Sequence, residues 1–134
     1  MSEVRLVIAD DHTVLREGLK AVFALAGDIT VVGEAEDGVQ AVLLAHRLKP
    51  DVILMDIAIP GLGGLEATQR IRKECPLVKV LVLTQYDYKE YVLRFLQAGA
   101  SGYVLKTAPA GDVMAAVRLV KAGGMYLDTP NAAE

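Results

Sequence analysis

Val52-Ile53-Leu54-Met55-Asp56 is an unbroken apolar run that stops on a carboxylate. A helix presents apolar residues every three or four positions, and a strand with one wet face alternates them. A short continuous run fits a strand covered on both faces, as in a buried parallel sheet. The pattern recurs. Arg5-Leu6-Val7-Ile8-Ala9 runs into Asp10-Asp11, Val80-Leu81-Val82-Leu83 into Thr84, and Gly102-Tyr103-Val104-Leu105 into Lys106. Amphipathic stretches separate these runs, so strand and helix alternate five times. That alternation predicts an α/β domain with a doubly wound, five-stranded parallel sheet of order 2-1-3-4-5, flavodoxin-like in topology.

Working outward, helix one carries Leu15, Leu19, Val22, Phe23 and Ala26 on one stripe and stops at Gly27-Asp28. Ile29 to Glu34 reads as a short edge strand. Helix two spans Gly38 to Leu48, with Val39, Val42, Leu43 and Ala45 expected to face the sheet. The loop Ala58-Ile59-Pro60-Gly61-Leu62-Gly63-Gly64 leads into helix three, from Leu65 to Glu74. Helix four covers Lys89 to Ala98. Helix five covers Gly111 to Ala122, with Val113, Ala116, Val117 and Val120 inward. Residues 1–127 form one domain in this reading, and the small polar stretch 128–134 reads as the start of a linker or a tail.

The chain has 134 residues, 53% of them hydrophobic and 23% charged, enough to bury a real core. Its net charge of -3 supplies no electrostatic drive toward nucleic acid. No run approaches the ~20 apolar residues of a membrane span. The one cysteine, Cys75 before Pro76, excludes an internal disulfide and is expected to be an inert thiol. These features together predict a cytoplasmic protein.

In open parallel sheets, chemistry gathers at the carboxyl ends of the strands. Asp10 and Asp11 should therefore form one lip of a crevice between strands one and three, and Asp56 the other. Thr84 adds a hydroxyl and Lys106 a mobile point charge. Three adjacent carboxylates repel one another, and a hard cation relieves that repulsion; Mg²⁺ is the expected choice, with the backbone carbonyl of Ile57 completing its ligands. Taken singly, each residue has a plainer reading: an aspartate caps a turn or helix, a threonine fills a strand, a lysine is solvated. The set on one edge favours phosphoryl chemistry. His12 reads as a first-turn helix residue. Gly61, Gly63 and Gly64 make neither a dinucleotide fingerprint nor a P-loop, since no strand feeds them directly and no Lys-Ser/Thr follows.

With these residues in place, the chain resembles the receiver domain of two-component response regulators, of the NarL/FixJ (LuxR-type) branch, over Val4 to Leu127. The resemblance is carried by Asp10-Asp11, by Asp56 with Pro60 and Gly64 in the spacing D-x-x-x-P-x-x-x-G, by Thr84 and by Lys106. Asp10-Asp11-His12, Ala98-Gly99-Ala100-Ser101-Gly102-Tyr103 and Gly123-Gly124-Met125-Tyr126-Leu127 point to the branch. The resemblance implies that Asp56 accepts a phosphoryl group from a sensor histidine kinase, that Asp10 and Asp11 help hold Mg²⁺, that Lys106 contacts the phosphate, and that Thr84 and Tyr103 are the switch pair. It implies a signalling domain that promotes only its own phosphorylation and dephosphorylation. It also implies that DNA is reached only through a C-terminal helix-turn-helix domain absent from these residues, by which transcription is regulated. The chain departs from the common pattern in having Thr107 after Lys106, with Pro109 only later, and in Ala58, Gln85 and Tyr86 beside the site.

Two other readings compete. Haloacid-dehalogenase-like phosphatases use an aspartate nucleophile with Mg²⁺ but carry a second aspartate as general acid, where this chain has Ala58, and they need a cap that is not evident here. A pseudo-receiver would keep the fold without being phosphorylated. For self-association, Val14, Gly18, Ala21 and Leu25 on helix one and Ala115, Leu119 and Ala122 on helix five form extra apolar stripes. At least half of them are expected to pack within the chain, leaving the remainder for a homodimer. Helix four, with Tyr88, Tyr91 and Phe95, is the competing surface.

Overall fold

Successive side chains of a strand point to opposite faces, so a strand made wholly of apolar residues needs cover on both sides. The computed structural model supplies it, describing residues 3–57, 61, 63–85 and 89–128, the side chains of 89, 91 and 128 excepted. The elements are β1 (Val4–Ala9), α1 (Thr13–Ala24), β2 (Ile29–Ala35), α2 (Gly38–Leu48), β3 (Val52–Asp56), α3 (Gly64–Glu74), β4 (Lys79–Thr84), α4 (Lys89–Gln97), β5 (Gly102–Leu105), α5 (Ala110–Lys121) and β6 (Tyr126–Asp128). Every strand pair is parallel, in the order β2-β1-β3-β4-β5-β6. The expected order stands, with a short sixth strand added where the sequence suggested only the end of the domain.

The central strands split their side chains evenly. Val7, Ala9, Ile53, Met55, Val80, Val82 and Tyr103 enter one core, covered by Ala41, Val42 and Ala45 of α2, Ala67 and Ile71 of α3, and Val92 and Phe95 of α4. Leu6, Ile8, Val52, Leu54, Leu81, Leu83 and Val104 enter the other, covered by Phe23 of α1 and by Val113, Ala116, Val117 and Val120 of α5. The β1-to-β2 and β5-to-β6 steps run in opposite directions across the sheet, yet α1 and α5 lie on the same face. The β5-α5-β6 connection therefore has the opposite hand to β1-α1-β2, a rarity for parallel strands. Gly102 permits the close join of β6: a Cβ there would stand 2.8 Å from the Tyr126 carbonyl oxygen and 2.6 Å from Leu81 Cδ1.

The structure corrects three expectations. On α2 the buried stripe is Gly38, Ala41, Val42 and Ala45, a clean i, i+3, i+4, i+7 series. Val39 and Leu43 sit one residue, or 100°, further round and are 52% and 55% exposed. The extra stripes of α1 and α5 do not pack against each other: Val14, Gly18, Ala21, Leu25, Ala115, Leu119 and Ala122 are all exposed. Phe95 is buried edge-on against Tyr103, with ring centroids 6.3 Å apart, so it offers no surface. Ala58, Ile59, Pro60, Leu62, Tyr86, Tyr88, the Tyr91 side chain and residues 129–134 lie outside the described residues.

Asp51 ties four elements together at the end of the sheet away from the carboxylates. Its Oδ2 accepts the Arg5 amide at 2.8 Å and its Oδ1 accepts Lys121 Nζ at 2.8 Å. Its own amide donates to the Arg5 carbonyl, and its carbonyl accepts the Lys79 amide. Burial pushes the Asp51 carboxyl up, but Lys121 and the Arg5 amide outweigh burial and hold it below the ordinary carboxylate range. A lowered folded value means that the contribution is complete above the unfolded value, about 3.9, and is lost as pH falls through the folded one. Asp51→Asn should cost about 1–2 kcal/mol at neutral pH and shrink the acid-side loss of stability, read from urea midpoints between about pH 6 and pH 2.

Candidate functional site

The site is assembled from strand ends, because β1, β3, β4 and β5 all point the same way. β1 ends at Ala9 and pairs with Met55, so Asp10 comes level with Asp56. Asp56 pairs with Leu83 and Thr84 with Leu105, which brings Thr84 and Lys106 to the same edge. The Lys106 amide donates to the Thr84 carbonyl at 2.6 Å, anchoring the lysine beside β4. The Lys106–Thr107 peptide is trans.

Asp10 and Asp56 are each only 1% exposed. Lys106 Nζ lies 3.3 Å from Asp56 Oδ2 and 3.5 Å from Asp10 Oδ2. Asp11 is the solvent-facing member, half open at the rim. One oxygen from each of Asp10, Asp11 and Asp56 and one nitrogen of His12 lie within 4.8 Å of one another, the spacing of groups that share a metal ion. Asp10 Oδ1 accepts the His12 amide at 2.8 Å, whereas Asp10 Oδ2, fully buried, accepts no hydrogen bond among the described residues. Three carboxylates against one ammonium leave two formal negative charges, His12 aside. A divalent cation closes that account, and an all-oxygen set of carboxylates suits a hard one. The residues therefore fit a hard divalent ion.

Thr84 and Tyr103 are fully buried. Its ring lies among Val82, Phe95 and Leu127 in the core on the α2-α3-α4 side. Ile57 is half-buried; its amide donates to the Leu83 carbonyl, and its carbonyl abuts the start of α3. That close approach explains the glycine eight residues after Asp56. A Cβ on Gly64 would stand 2.7 Å from the Asp56 carbonyl oxygen and 2.9 Å from that of Ile57.

Sequence reasoning missed two members of this neighbourhood. His12, expected as a plain helix residue, holds Nδ1 2.9 Å from Asp10 Oδ1, 3.3 Å from Asp11 Oδ1 and 3.8 Å from Asp56 Oδ2. It occupies the N-cap of α1, one residue before the helix, which turns its ring back over the strand ends. Arg16 is buried although nothing in its spacing marks it. Cys75 lies far from the site, at the C-cap of α3. Burial and then the Glu74 charge push its thiol up, as suits an unreactive cysteine.

A buried aspartate thus stands between an acidic pair and a lysine at the carboxyl edge of a parallel sheet of order 2-1-3-4-5-6. The chain belongs to the response regulator receiver domain family, whose pattern it matches over residues 6–118. It is 44% identical to the transcriptional regulatory protein DegU of Brevibacillus brevis over 126 residues, 94% of this chain and 53% of that protein. It is 41% identical to the response regulator GacA of Pseudomonas protegens, covering 92% of this chain and 58% of that one. The chain thus spans little more than half the length of the curated relatives it matches. Among solved structures, a LuxR-family two-component response regulator from Aurantimonas superimposes with a TM-score of 0.93 at 33% identity, over 99% of this chain and 95% of that one. The signal receiver domain of NarL from Mycobacterium tuberculosis gives 0.88 at 35% identity, over 92% and 99%. These relatives support the NarL/FixJ branch.

Gly64→Ala should force α3 away from the two carbonyls. The expected cost is about 1–3 kcal/mol in chemical denaturation, with weaker divalent-cation binding by calorimetry.

Proposed function

We propose that this domain is the phosphorylation switch of a two-component system, with Asp56 as acceptor and a sensor histidine kinase as donor. The observation that carries the reading is Asp56 Oδ2, in a buried crevice 3.3 Å from Lys106 Nζ and within metal-sharing distance of Asp10 and Asp11. In the reaction, a carboxylate oxygen of Asp56 attacks phosphorus in line. The bond from phosphorus to the kinase's imidazole nitrogen breaks, leaving an acyl phosphate and a free imidazole. The transition state is loose, so positioning and charge neutralisation supply most of the rate. Lys106 neutralises one phosphoryl oxygen. Asp10, Asp11 and Asp56 would hold Mg²⁺, with the Ile57 carbonyl as candidate backbone ligand, and the ion would neutralise further phosphoryl charge.

The output is conformational. Thr84 donates its hydroxyl to the new phosphoryl group, and Tyr103, packed on Phe95 and Leu127, follows the space that Thr84 leaves. One hydrogen bond to a charged group contributes roughly 1.5–3 kcal/mol, whereas inverting a 1:99 population needs about 5.5. Assembly makes up the difference. The exposed stripes of α1 and α5 supply the surface, with Val14, Leu25 and Leu119 86%, 87% and 42% exposed. A symmetric homodimer through those helices fits an apolar patch of this kind. In the whole protein the signal passes to a DNA-binding half and so to transcription, in the cytoplasm, where a lone reduced cysteine is at home. No described helix is long and apolar enough to cross a membrane.

Incubation with Mg²⁺ and acetyl phosphate should add the mass of one phosphate, and Asp56→Asn should abolish the addition; unchanged labelling of the variant would sink the assignment. Turnover of many phosphate esters would instead support a phosphatase. Beryllofluoride with Mg²⁺ should shift the domain toward a dimer in light scattering. Leu119→Glu should weaken that shift while leaving the added phosphate intact.

A further inference from the structure

Arg16 lies in α1, one helical turn beyond His12, and is buried although it carries a full charge. A buried charge is retained only where it is paired and hydrogen-bonded. Its three guanidinium nitrogens each have a partner on a different residue. Nη1 donates to the Asp10 backbone carbonyl at 2.6 Å, Nε to Glu34 Oε1 at 3.2 Å and Nη2 to Glu36 Oε1 at 3.3 Å. Lys20 also reaches Glu34, at 3.0 Å, and holds that carboxyl below its usual range, with Arg16 adding to the effect. The guanidinium is thus neutralised on its outer side by two glutamates, while its inner side grips one carbonyl at the end of β1.

That carbonyl belongs to the peptide joining the two acidic residues of the site. A trans peptide is planar, so its C=O and N–H point in opposite directions. Holding the Asp10 oxygen toward Arg16 fixes the whole plane, and with it the directions in which the Asp10 and Asp11 side chains leave the backbone. The other restraints lie elsewhere on Asp10: its amide donates to the Ala35 carbonyl, and its Oδ1 accepts the His12 amide. Neither restrains the carbonyl.

We infer that Arg16 is a positioning residue for the acidic pair, holding Asp10 and Asp11 in the orientation that binds a divalent cation. The inference rests on the reading of the site given above. It differs from a simple fold-stabilising role in what it predicts. Partners that orient metal ligands from behind typically contribute about 10- to 100-fold to metal affinity. A fold-stabilising arginine far from the site should contribute nothing to it. Arg118 is the internal control, because it forms a bidentate pair with Asp28 at 2.8 and 3.0 Å, linking α5 to the turn after α1, away from the carboxylates.

The experiment is calorimetric titration of the domain with Mg²⁺, with thermal unfolding of each metal-free variant in parallel. Arg16→Met should weaken Mg²⁺ binding about tenfold or more, and Arg16→Lys should recover part of the loss, since an ammonium can reach the Asp10 carbonyl but cannot span all three partners. Arg118→Ala should lower the unfolding temperature and leave Mg²⁺ affinity unchanged. If Arg16→Met proves unfolded, Arg16→Lys alone decides the matter: a folded Lys variant with wild-type affinity overturns the inference, and a folded one with weakened affinity supports it. Wild-type affinity in a folded Arg16→Met protein also overturns it, while the proposed function survives. A wild-type domain that binds no Mg²⁺ overturns both.

Discussion

Everything at the working edge of this domain follows from two carboxylates buried side by side. Asp10 and Asp56 are excluded from water on neighbouring strands, and at about 4 Å in a protein-like dielectric two such charges repel by roughly 4 kcal/mol. Lys106, within 3.5 Å of both, offsets part of this and no more, because Asp11 adds a third charge at the rim. The fold maintains this unfavourable arrangement through its backbone. Parallel pairing fixes how far each strand reaches, so the carboxylates cannot separate without breaking ladder hydrogen bonds in two core-spanning strands. Carboxylates that repel one another in this way would be stabilised by a divalent cation and, in the proposed reaction, by conversion of one of them to an acyl phosphate.

The sheet order and the elements were legible in the sequence because the signal for them is local and redundant. Four near-continuous apolar runs mark strands buried on both faces, and the amphipathic stretches between them leave one way to cover the sheet. The site was legible for a related reason: in this topology a residue's position at a strand's carboxyl end already determines its place in space. What escaped depends on angles finer than a sequence pattern carries. Two of the four residues expected on the inward face of α2 proved exposed, because Val39 and Leu43 resemble Val42 in chemistry and sit only 100° of rotation from Gly38 and Val42. Tyr126 to Asp128 form a strand too short to announce itself. Arg16 carries no apolar signal at all; its burial is decided by three acceptors contributed by β1, β2 and the segment before α2.

The two faces of the sheet divide the labour. The α2-α3-α4 side holds Tyr103 and Phe95, and with them the ring that the proposed switch would move. The α1-α5 side is pinned by Phe23 in its core and by Arg118 on Asp28 and Lys121 on Asp51 at its far end. Yet that side bears the exposed apolar stripe. A dimer built there would form on the face of the sheet opposite the proposed switch residue Tyr103.

The sixth strand gives this division a mechanical meaning. β6 runs parallel to β5, with Leu127 opposite Tyr103 and Asp128 opposite Val104. A load applied along β6 toward the carboxylate edge would stress its bonds to β5 together, in shear, instead of peeling them one at a time. Leu127 in turn packs on the core that contains Tyr103. Traction on the strand and the chemistry proposed for Asp56 would therefore bear on the same layer of the fold, the one that holds Tyr103 and Leu127.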